Sequence, residues 1–356
     1  MTQQELTNLN VCQNLDDLMN LDPRGYGVCR ILYEGSRAYT KKPLTLNAAE
    51  QIIKYVKKGD IVYILTGFVL LEHKKAEMDG IIGAMFLARA LAVALEAKPV
   101  IVCPEDNLVA VQNLAYDMGL HLYTDFEDLK RVSASMGVIV FTKDVSKALA
   151  QSKEIIKNNP APFVISTEAP GSNFKGVGHN ATGLEVTPLE ARLDVFFQYV
   201  TDQKIPTLAI GDLGNEVGMG TIAEHIKKYI PYAREGACRC GCGGGILADT
   251  KADNIITATV SDWGAYGVCA ALAFLTKKYA TMPSAELVER AILTASRSGM
   301  IDMYGWLIPS VDGFDKAIIC TIVNLMVECI SYADGLTEKC KTWFDKVIEL
   351  KFFDKK

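Results

Sequence analysis

Short apolar segments alternate with amphipathic segments along most of the chain. This alternation is typical of a parallel sheet that carries helices on both faces. The apolar segments are rich in β-branched residues and are followed by residues that favour turns. We predict strands at residues 61–66, 100–103, 138–142, 163–166, 207–210 and 255–260. The pattern therefore predicts an α/β fold with a mostly parallel sheet.

The amphipathic segments predict helices at residues 46–57, 80–96, 107–118, 187–201, 221–229 and 263–278. Strand-like segments then fade, and residues 284–296, 314–332 and 337–352 predict consecutive helices in a helical C-terminal region. The NNPAP segment at 158–162 is the best candidate for a linker. We expect an N-terminal helical arm (1–27), a first α/β lobe (28–157), a second α/β lobe (158–335) and a C-terminal helix (336–356).

Composition excludes several classes of function. The chain has 356 residues, 49% of them hydrophobic, with 37 basic and 42 acidic residues. Because no basic stripe is interleaved with aromatic residues, a nucleic-acid partner is not expected.

The apolar segment 81–97 is interrupted by Arg89 and is short for a membrane span, so we interpret it as a core helix and expect no membrane partner. Residues 1–22 lack a secretory or transit pattern, which predicts a cytoplasmic location. The oligomeric state stays open, and a homo-oligomer is one option.

Three of the ten cysteines form a C-x-C-x-C tract, Cys238, Cys240 and Cys242. This spacing could chelate a soft metal, although zinc sites more often combine two C-x2-C pairs. The remaining cysteines are scattered, and several lie in apolar patterns where a reduced thiol packs as a small hydrophobe. We expect the tract to be dispensable for catalysis, and any metal bound there to be structural or adventitious.

Ligands of an open parallel sheet bind beyond the carboxyl ends of its strands, so polar residues at those positions are candidate site residues. Thr66 and Gly67 end the first predicted strand, and Glu77 and Asp79 precede the long apolar helix. Asp79 could only cap that helix. Alternatively, the two carboxylates could bind a divalent cation or a substrate ammonium.

A glycine-rich acidic loop, GDLGNEVGMG at residues 211–220, follows the predicted strand 207–210. Glycines let a ligand approach the backbone closely, and the helix that follows favours bound anions. Asp212, Asn215 and Glu216 supply oxygen atoms that suit Mg or Mn better than zinc. A phosphate-binding loop would need a following Lys-Ser/Thr, which is absent. A capped turn without function is the alternative.

Further polar residues surround the last predicted strand and a fourth loop. Ser261 or Asp262 could cap the helix that begins near residue 263, and Trp263 could only fill the core. A smaller set, EAPGSN at 168–173 with His179, also follows a predicted strand. The candidates from these segments are Asp253, Ser261, Asp262, Trp263, Gly264 and Asn180.

Taken in order, three of these segments resemble the D-glutamate cyclase family over roughly residues 61–275. Residues 77–84, EMDGIIGA, are similar to the family's E-T-D-G-P-x-G-A, and residues 211–220 are similar to G-D-G-G-N-E-x-G-M-G. Residues 252–253 and 260–267, AD and VSDWGAYG, are similar to A-D and V-S-N-W-G-x-Y-G. The chain departs from these patterns at Met78, Ile81, Leu213 and Asp262. At position 262 the family has Asn, and the extra carboxylate of Asp262 could alter which substrate binds.

The resemblance implies a lyase that dehydrates D-glutamate, or a similar acidic amino acid, to 5-oxoproline. For this reaction we expect a divalent cation, Mg or Mn, on Asp79, Asp212 and Glu216 with Asn215 assisting, Glu77 or Asp253 as general base, and no nucleotide or redox cofactor. Backbone N–H groups around residues 214–220 would stabilise the oxyanion. The expected substrate-binding residues are Thr66, Gly67, Gly214, Asn215, Gly218, Asn180, Ser261, Asp262, Trp263 and Gly264.

Two other classes of function stay open at this point. A metal-dependent hydrolase, such as a phosphatase, would use a similar carboxylate cluster to hold two cations about 4 Å apart. A non-catalytic amino-acid-binding protein would need the pocket but no base. Turnover separates the second of these from an enzyme.

Overall fold

A computed structural model describes residues 1–336 and 341–355. The helices in these residues are α1 (Gln3–Met19), α2 (Val28–Thr40), α3 (Leu44–Tyr55), α4 (Ile81–Ala94), α5 (Leu108–Met118), α6 (Phe126–Arg131), α7 (Val145–Asn158), α8 (Leu193–Asp202), α9 (Ala223–Tyr229), α10 (Ser261–Thr276), α11 (Ala285–Arg297), α12 (Lys316–Leu336) and α13 (Lys341–Glu349). The strands are β1 (Ile61–Thr66), β2 (Val69–Leu70), β3 (Lys75–Ala76), β4 (Lys98–Cys103), β5 (His121–Tyr123), β6 (Ser135–Val140), β7 (Phe163–Thr167), β8 (Thr207–Gly211), β9 (Asn254–Thr257), β10 (Ser310–Val311) and β11 (Phe314–Asp315).

Seven of these strands form one parallel sheet in the order β5-β6-β4-β1-β7-β8-β9. Alternate side chains of β1 point into two apolar clusters, Val62 and Ile64 into one and Tyr63 and Leu65 into the other. Helices α1, α3, α4, α5 and α10–α12 contribute to the first cluster, and α2 and α6–α9 contribute to the second. This arrangement confirms the predicted α/β class with helices on both faces.

The two predicted lobes contribute strands to the same sheet, because β1 and β7 pair directly from Val62 opposite Phe163 to Thr66 opposite Thr167. The carboxyl ends of β1, β7 and β8 therefore lie side by side at the centre of the sheet. The division of the chain into lobes stays a prediction.

Several elements differ from those predicted. The strand predicted at 255–260 ends at Thr257, because the Thr259 N–H donates to the Met19 carbonyl oxygen at 2.9 Å instead of continuing the ladder. The helix predicted at 187–201 begins at Leu193, after a short 3₁₀ turn that contains Pro188. For the helix predicted at 337–352, residues 337–340 lie outside the described residues, and α13 covers Lys341–Glu349.

The apolar segment at 81–97 forms α4, whose side chains are almost all buried, as predicted for a core helix. In the described part of the chain, one helix is long and apolar enough to cross a bilayer. Its window, Lys316–Ala333 in α12, has a mean hydropathy of 1.5 and is 28% buried. The face of α12 that carries Ile319, Val323 and Met326 packs into the first apolar cluster. A core helix passes the same length and composition test, so this window alone is weak evidence for a membrane span.

Candidate active site

Three buried carboxylates meet at the carboxyl edge of the sheet. Glu168 follows β7, Asp212 follows β8, and Asp79 precedes α4, which the chain enters after β1 and the small β2–β3 hairpin. One carboxylate oxygen from each lies within 4.8 Å of the others. Asp79 and Asp212 are 2% and 6% exposed, and Glu168 is 7% exposed. The sequence predicted that Asp79, Asp212 and Glu216 would converge at this edge, whereas Glu168 was noted in a polar loop without a role.

Asp79 and Asp262 hold the first turns of two packed helices. The Asp79 carboxylate accepts N–H bonds from Ser261 and Asp262 at the start of α10, at 3.1 and 2.9 Å. In return, the Asp262 carboxylate accepts N–H bonds from Gly80 and Gly83 at the start of α4, at 3.0 and 2.6 Å. Both helix N-termini thus point at the carboxylate cluster, where their dipoles favour negative charge.

Glu168 is held in an unusual backbone conformation. Its φ is +43°, a left-handed value that costs free energy for a residue with a side chain. The Ser261 hydroxyl donates to its Oε2 at 2.6 Å. A Cβ added to Gly80 would lie 2.3 Å from the Glu168 Cβ and 3.2 Å from the Thr66 Oγ1. Only glycine fits at position 80, and its absence of a side chain brings Thr66, Glu168 and Asp79 together.

Glu216 shapes the glycine-rich loop from inside. Its Oε1 accepts the N–H groups of Asp212 and Leu213 at 3.0 and 2.7 Å, and its Oε2 accepts that of Gly214 at 2.6 Å. Because both oxygens are committed to the backbone, Glu216 supports Asp212 rather than adding a free ligand. Glu216 stays next to Glu168 and Asp212, where its charge helps to raise their pKa values, but the three carboxylate oxygens that lie together are those of Asp79, Glu168 and Asp212.

The loop expected to stabilise an oxyanion, residues 214–220, already uses most of its N–H groups within the protein. Five of its N–H groups donate within the protein, those of Gly214, Val217, Gly218, Met219 and Gly220. Gly218 also packs tightly, since an added Cβ would lie 2.3 Å from the Ala209 Cβ on β8. The glycines therefore serve to fold the loop back onto the sheet.

Several buried polar atoms of predicted site residues have no hydrogen-bond partner within residues 1–336 and 341–355. They include the Asn215 Oδ1, the Thr66 Oγ1 and the Trp263 Nε1. The other end of the Asn215 amide is fixed, because its Nδ2 donates to the His179 carbonyl oxygen at 3.0 Å. Leaving a buried polar atom unpaired costs about 1–3 kcal/mol. These three predicted site residues thus offer polar contacts that a bound ligand could complete.

Gly67 and Asn107 form a further polar corner at the end of β1. Gly67 has φ +117°, and an added Cβ would lie 2.7 Å from the Asn107 Oδ1. Both polar atoms of the buried Asn107 amide lack a partner in the part of the chain that the structure describes. Sequence reasoning missed Asn107, which it placed only at the start of a helix.

Burial and mutual repulsion raise the pKa of the clustered carboxyls. Burial raises the pKa of Asp79 to about 6, although the N–H groups of Asp262, Gly80 and Ser261 lower it. Burial, followed by the charges of neighbouring carboxylates, holds the pKa values of Glu168 and Asp212 well above the ordinary range. The pKa of Glu77 is also raised well above its ordinary range by burial, then by Asp312 and Asp79. Such a cluster favours protons or a cation.

Arg24 lies close enough to this cluster for its charge to act on it, and the sequence did not predict this. Arg24, in the loop between α1 and α2, pairs with Asp312 and lies over the Phe314 ring at 4.5 Å. Burial lowers the pKa of Arg24, but the charges of Asp312, Asp212 and Asp79 outweigh it and raise that pKa. Arg24 and Asp312 come from distant loops, so no local pattern could have connected them.

Three predicted site residues lie elsewhere or serve the fold. Asp253 precedes β9, and its Oδ2 accepts the N–H and hydroxyl of Thr207 at 2.9 and 3.0 Å. This places it at the amino edge of the sheet, about 15 Å along β8 from the cluster. Asn180 uses its Oδ1 within its own turn. Gly264 packs α10 against the sheet, since an added Cβ would lie 2.9 Å from the Ile210 Cγ2.

The chain is similar to known proteins over most of its length. A family model described as "D-glutamate cyclase-like, C-terminal" matches residues 15–326. The chain belongs to the D-glutamate cyclase-like family. The match spans all seven strands of the sheet and all three loops of the acidic cluster.

A curated relative is the mitochondrial D-glutamate cyclase of Homo sapiens, which is 25% identical over 272 residues. The aligned region covers 74% of this chain and 39% of that protein. The chain therefore spans well under half the length of this relative.

Proposed function

We propose that the protein is a lyase of the D-glutamate cyclase type, which removes water from D-glutamate, or a similar acidic amino acid, to form 5-oxoproline. The observation that carries the proposal is the buried cluster of Asp79, Glu168 and Asp212 in a chain of this family. The human relative's name supports the same reaction.

A divalent cation, Mg or Mn, fits the cluster. Its donors are carboxylate oxygens alone, which these hard cations prefer, and positive charge would relieve the repulsion among three buried acids. Asp79, Glu168 and Asp212 would hold the ion, with the orphaned Asn215 Oδ1 close enough in sequence to assist. When bound, such a cation neutralises a carboxylate and polarises its carbon–oxygen bond.

The protein's own residues would bind and fold the substrate. The Arg24 guanidinium can donate hydrogen bonds to a substrate carboxylate in exchange for part of its pairing with Asp312. The unpaired Asn215 Oδ1 and Thr66 Oγ1 are acceptors for an ammonium. Holding the amine against the distal carboxyl carbon is the positioning step, which can lower a barrier by up to about 10 kcal/mol.

The reaction needs two proton movements, and Glu77 would carry them. Burial and the charges of Asp312 and Asp79 raise its pKa, which makes it a stronger base toward the substrate ammonium. The free amine then forms the C–N bond, and the C–O bond of the distal carboxyl breaks. Both protons lost by the nitrogen leave on the departing oxygen as water. Asp253, the other base that the sequence offered, lies at the opposite edge of the sheet.

The test is an assay of the purified protein with D-glutamate and L-glutamate, with and without a chelator, following 5-oxoproline. We expect product from the D-isomer, lost with the chelator and restored by Mn or Mg. Binding of glutamate without product would favour the amino-acid-binding alternative. Phosphate-ester hydrolysis with two cations bound per chain would favour the hydrolase.

A further inference from the structure

A second cluster of metal-binding side chains lies outside the acidic site. His179, from the loop after β7, meets Cys238, Cys240 and Cys242, from the loop between α9 and β9. The imidazole Nε2 and the three sulfurs all lie within 4.8 Å of one another. The sequence showed the three thiols but not the histidine, which is 59 residues before the first of them.

The distances match a tetrahedral metal site. Zinc–sulfur bonds of about 2.3 Å and zinc–nitrogen bonds of about 2.0 Å place neighbouring sulfurs about 3.8 Å apart, and sulfur and nitrogen about 3.5 Å apart. The Cys238 sulfur lies 3.5 Å from that of Cys242 and 3.9 Å from that of Cys240. The His179 Nε2 lies 3.5 Å from the Cys242 sulfur and 3.1 Å from that of Cys240.

The surroundings also suit thiolates. The Cys242 N–H donates to the Cys240 sulfur at 3.5 Å, and the Gly244 N–H donates to the Cys242 sulfur at 3.3 Å. The Asn173 Nδ2 donates to the Cys242 sulfur at 3.5 Å and to the Gly245 carbonyl oxygen at 2.7 Å. Such donors stabilise negative charge on sulfur and fix the orientation of metal ligands.

From this geometry we propose that His179, Cys238, Cys240 and Cys242 form a structural zinc site. Soft thiolates and an imidazole select zinc over the Mg or Mn that the carboxylates prefer. Four protein ligands complete the tetrahedron and leave no position for a substrate, which is the arrangement of a structural site. The zinc site shares no ligand with the acidic cluster, so it does not depend on the proposed reaction.

The zinc would reinforce hydrogen bonds that already join the two loops, such as those from the Asn173 amide to the Gly245 carbonyl oxygen and from the Lys175 ammonium to that of Cys242. Apart from the ligands, the Arg239 N–H donates to the Gly183 carbonyl oxygen at 2.8 Å. Both loops also reach the glycine-rich loop. The His179 carbonyl oxygen accepts from the Asn215 amide, and the Ala248 N–H donates to the Gly214 carbonyl oxygen at 3.3 Å. The metal would therefore stabilise the wall behind the acidic cluster.

The experiment measures zinc in the full chain, purified from zinc-supplemented medium without chelators. We expect about one zinc per chain, resistant to dialysis. Cys240→Ser and His179→Gln should each weaken zinc binding by at least about a hundredfold. Cys320→Ser is the matched control, because its sulfur lies on α12 and donates to the Ala285 carbonyl oxygen, so it should keep its zinc.

Cobalt substitution tests the geometry without any variant. Cobalt added to zinc-depleted protein should give the visible bands of a tetrahedral ion and a thiolate-to-cobalt charge-transfer band, and zinc should abolish both. Protein with less than about one-tenth zinc per chain and no such spectrum would overturn the proposal. So would iron in place of zinc, or a thiol count showing that two of the three cysteines form a disulfide.

Discussion

Removing divalent cations should make the stability of the protein fall as the pH rises. Burial raises the pKa of Asp79 from 3.8 to about 6 and that of Asp312 from 3.8 to about 7, with Arg24 opposing the second shift. The folded protein therefore holds these protons more tightly than the unfolded chain. The resulting stability is complete below about pH 4 and is lost as the pH rises through about 6 and 7.

The magnitude follows from the Asp79 shift alone. A rise of about two pKa units, at about 1.4 kcal/mol each, corresponds to about 3 kcal/mol of folding free energy. For a chain of 356 residues, that change lowers Tm by about 4 °C. The other buried carboxyls of the cluster have pKa values raised in the same direction.

The assay is thermal unfolding in a chelator between about pH 5 and about pH 8, repeated with excess Mn. Asp262→Asn keeps an oxygen for the Gly80 and Gly83 N–H groups but removes a buried charge, so its Tm should fall less with pH. Asp202→Asn, on the surface of α8, is the matched control and should follow the parent protein. Mn should restore Tm most at the high end of the range.

A Tm that is flat or rises over this range in the chelator would contradict the assigned charge state of the cluster. An Asp262→Asn slope equal to that of the parent protein would show that Asp262 does not contribute to this pH dependence.

Three further predictions concern turnover. Asp212→Asn should lower kcat at least about a hundredfold with an unchanged circular-dichroism spectrum; normal activity or a collapsed spectrum would contradict the site. Arg24→Lys should raise KM for D-glutamate about tenfold, because a charged hydrogen bond contributes about 1.5–3 kcal/mol. An unchanged KM would show that Arg24 does not bind the substrate. The triple Ser variant of Cys238, Cys240 and Cys242 should keep most of its rate well below its Tm, and a folded but inactive variant would place these thiols in the mechanism.

The central strands could be predicted because each is a buried apolar run. β1, β4, β7 and β8 begin and end within two residues of their predicted bounds. The edge strand β5 was missed because it has three residues, none of them fully buried, and lacks an apolar run. Helices α2, α6 and α7 were also missed.

The sequence predicted those residues of the candidate site that one loop is enough to identify. Asp79 and Asp212 follow from acid-and-glycine clusters next to apolar strands. The role of Glu168 depends on a left-handed backbone turn, and Arg24 and His179 reach their partners only in three dimensions. Asp253 was predicted at the site but lies at the opposite edge of the sheet, because it precedes its strand instead of following it.

The reciprocal bonds of Asp79 and Asp262 couple assembly of the site to assembly of the core. Helices α4 and α10 pack so closely that a Cβ added to Gly83 would lie 2.7 Å from the Ala265 Cβ. Neither carboxylate has its full set of N–H partners until both helices are docked. Activity should therefore report on the packing of the hydrophobic interior, and a chain that loses this helix pair should lose turnover in the same cooperative transition.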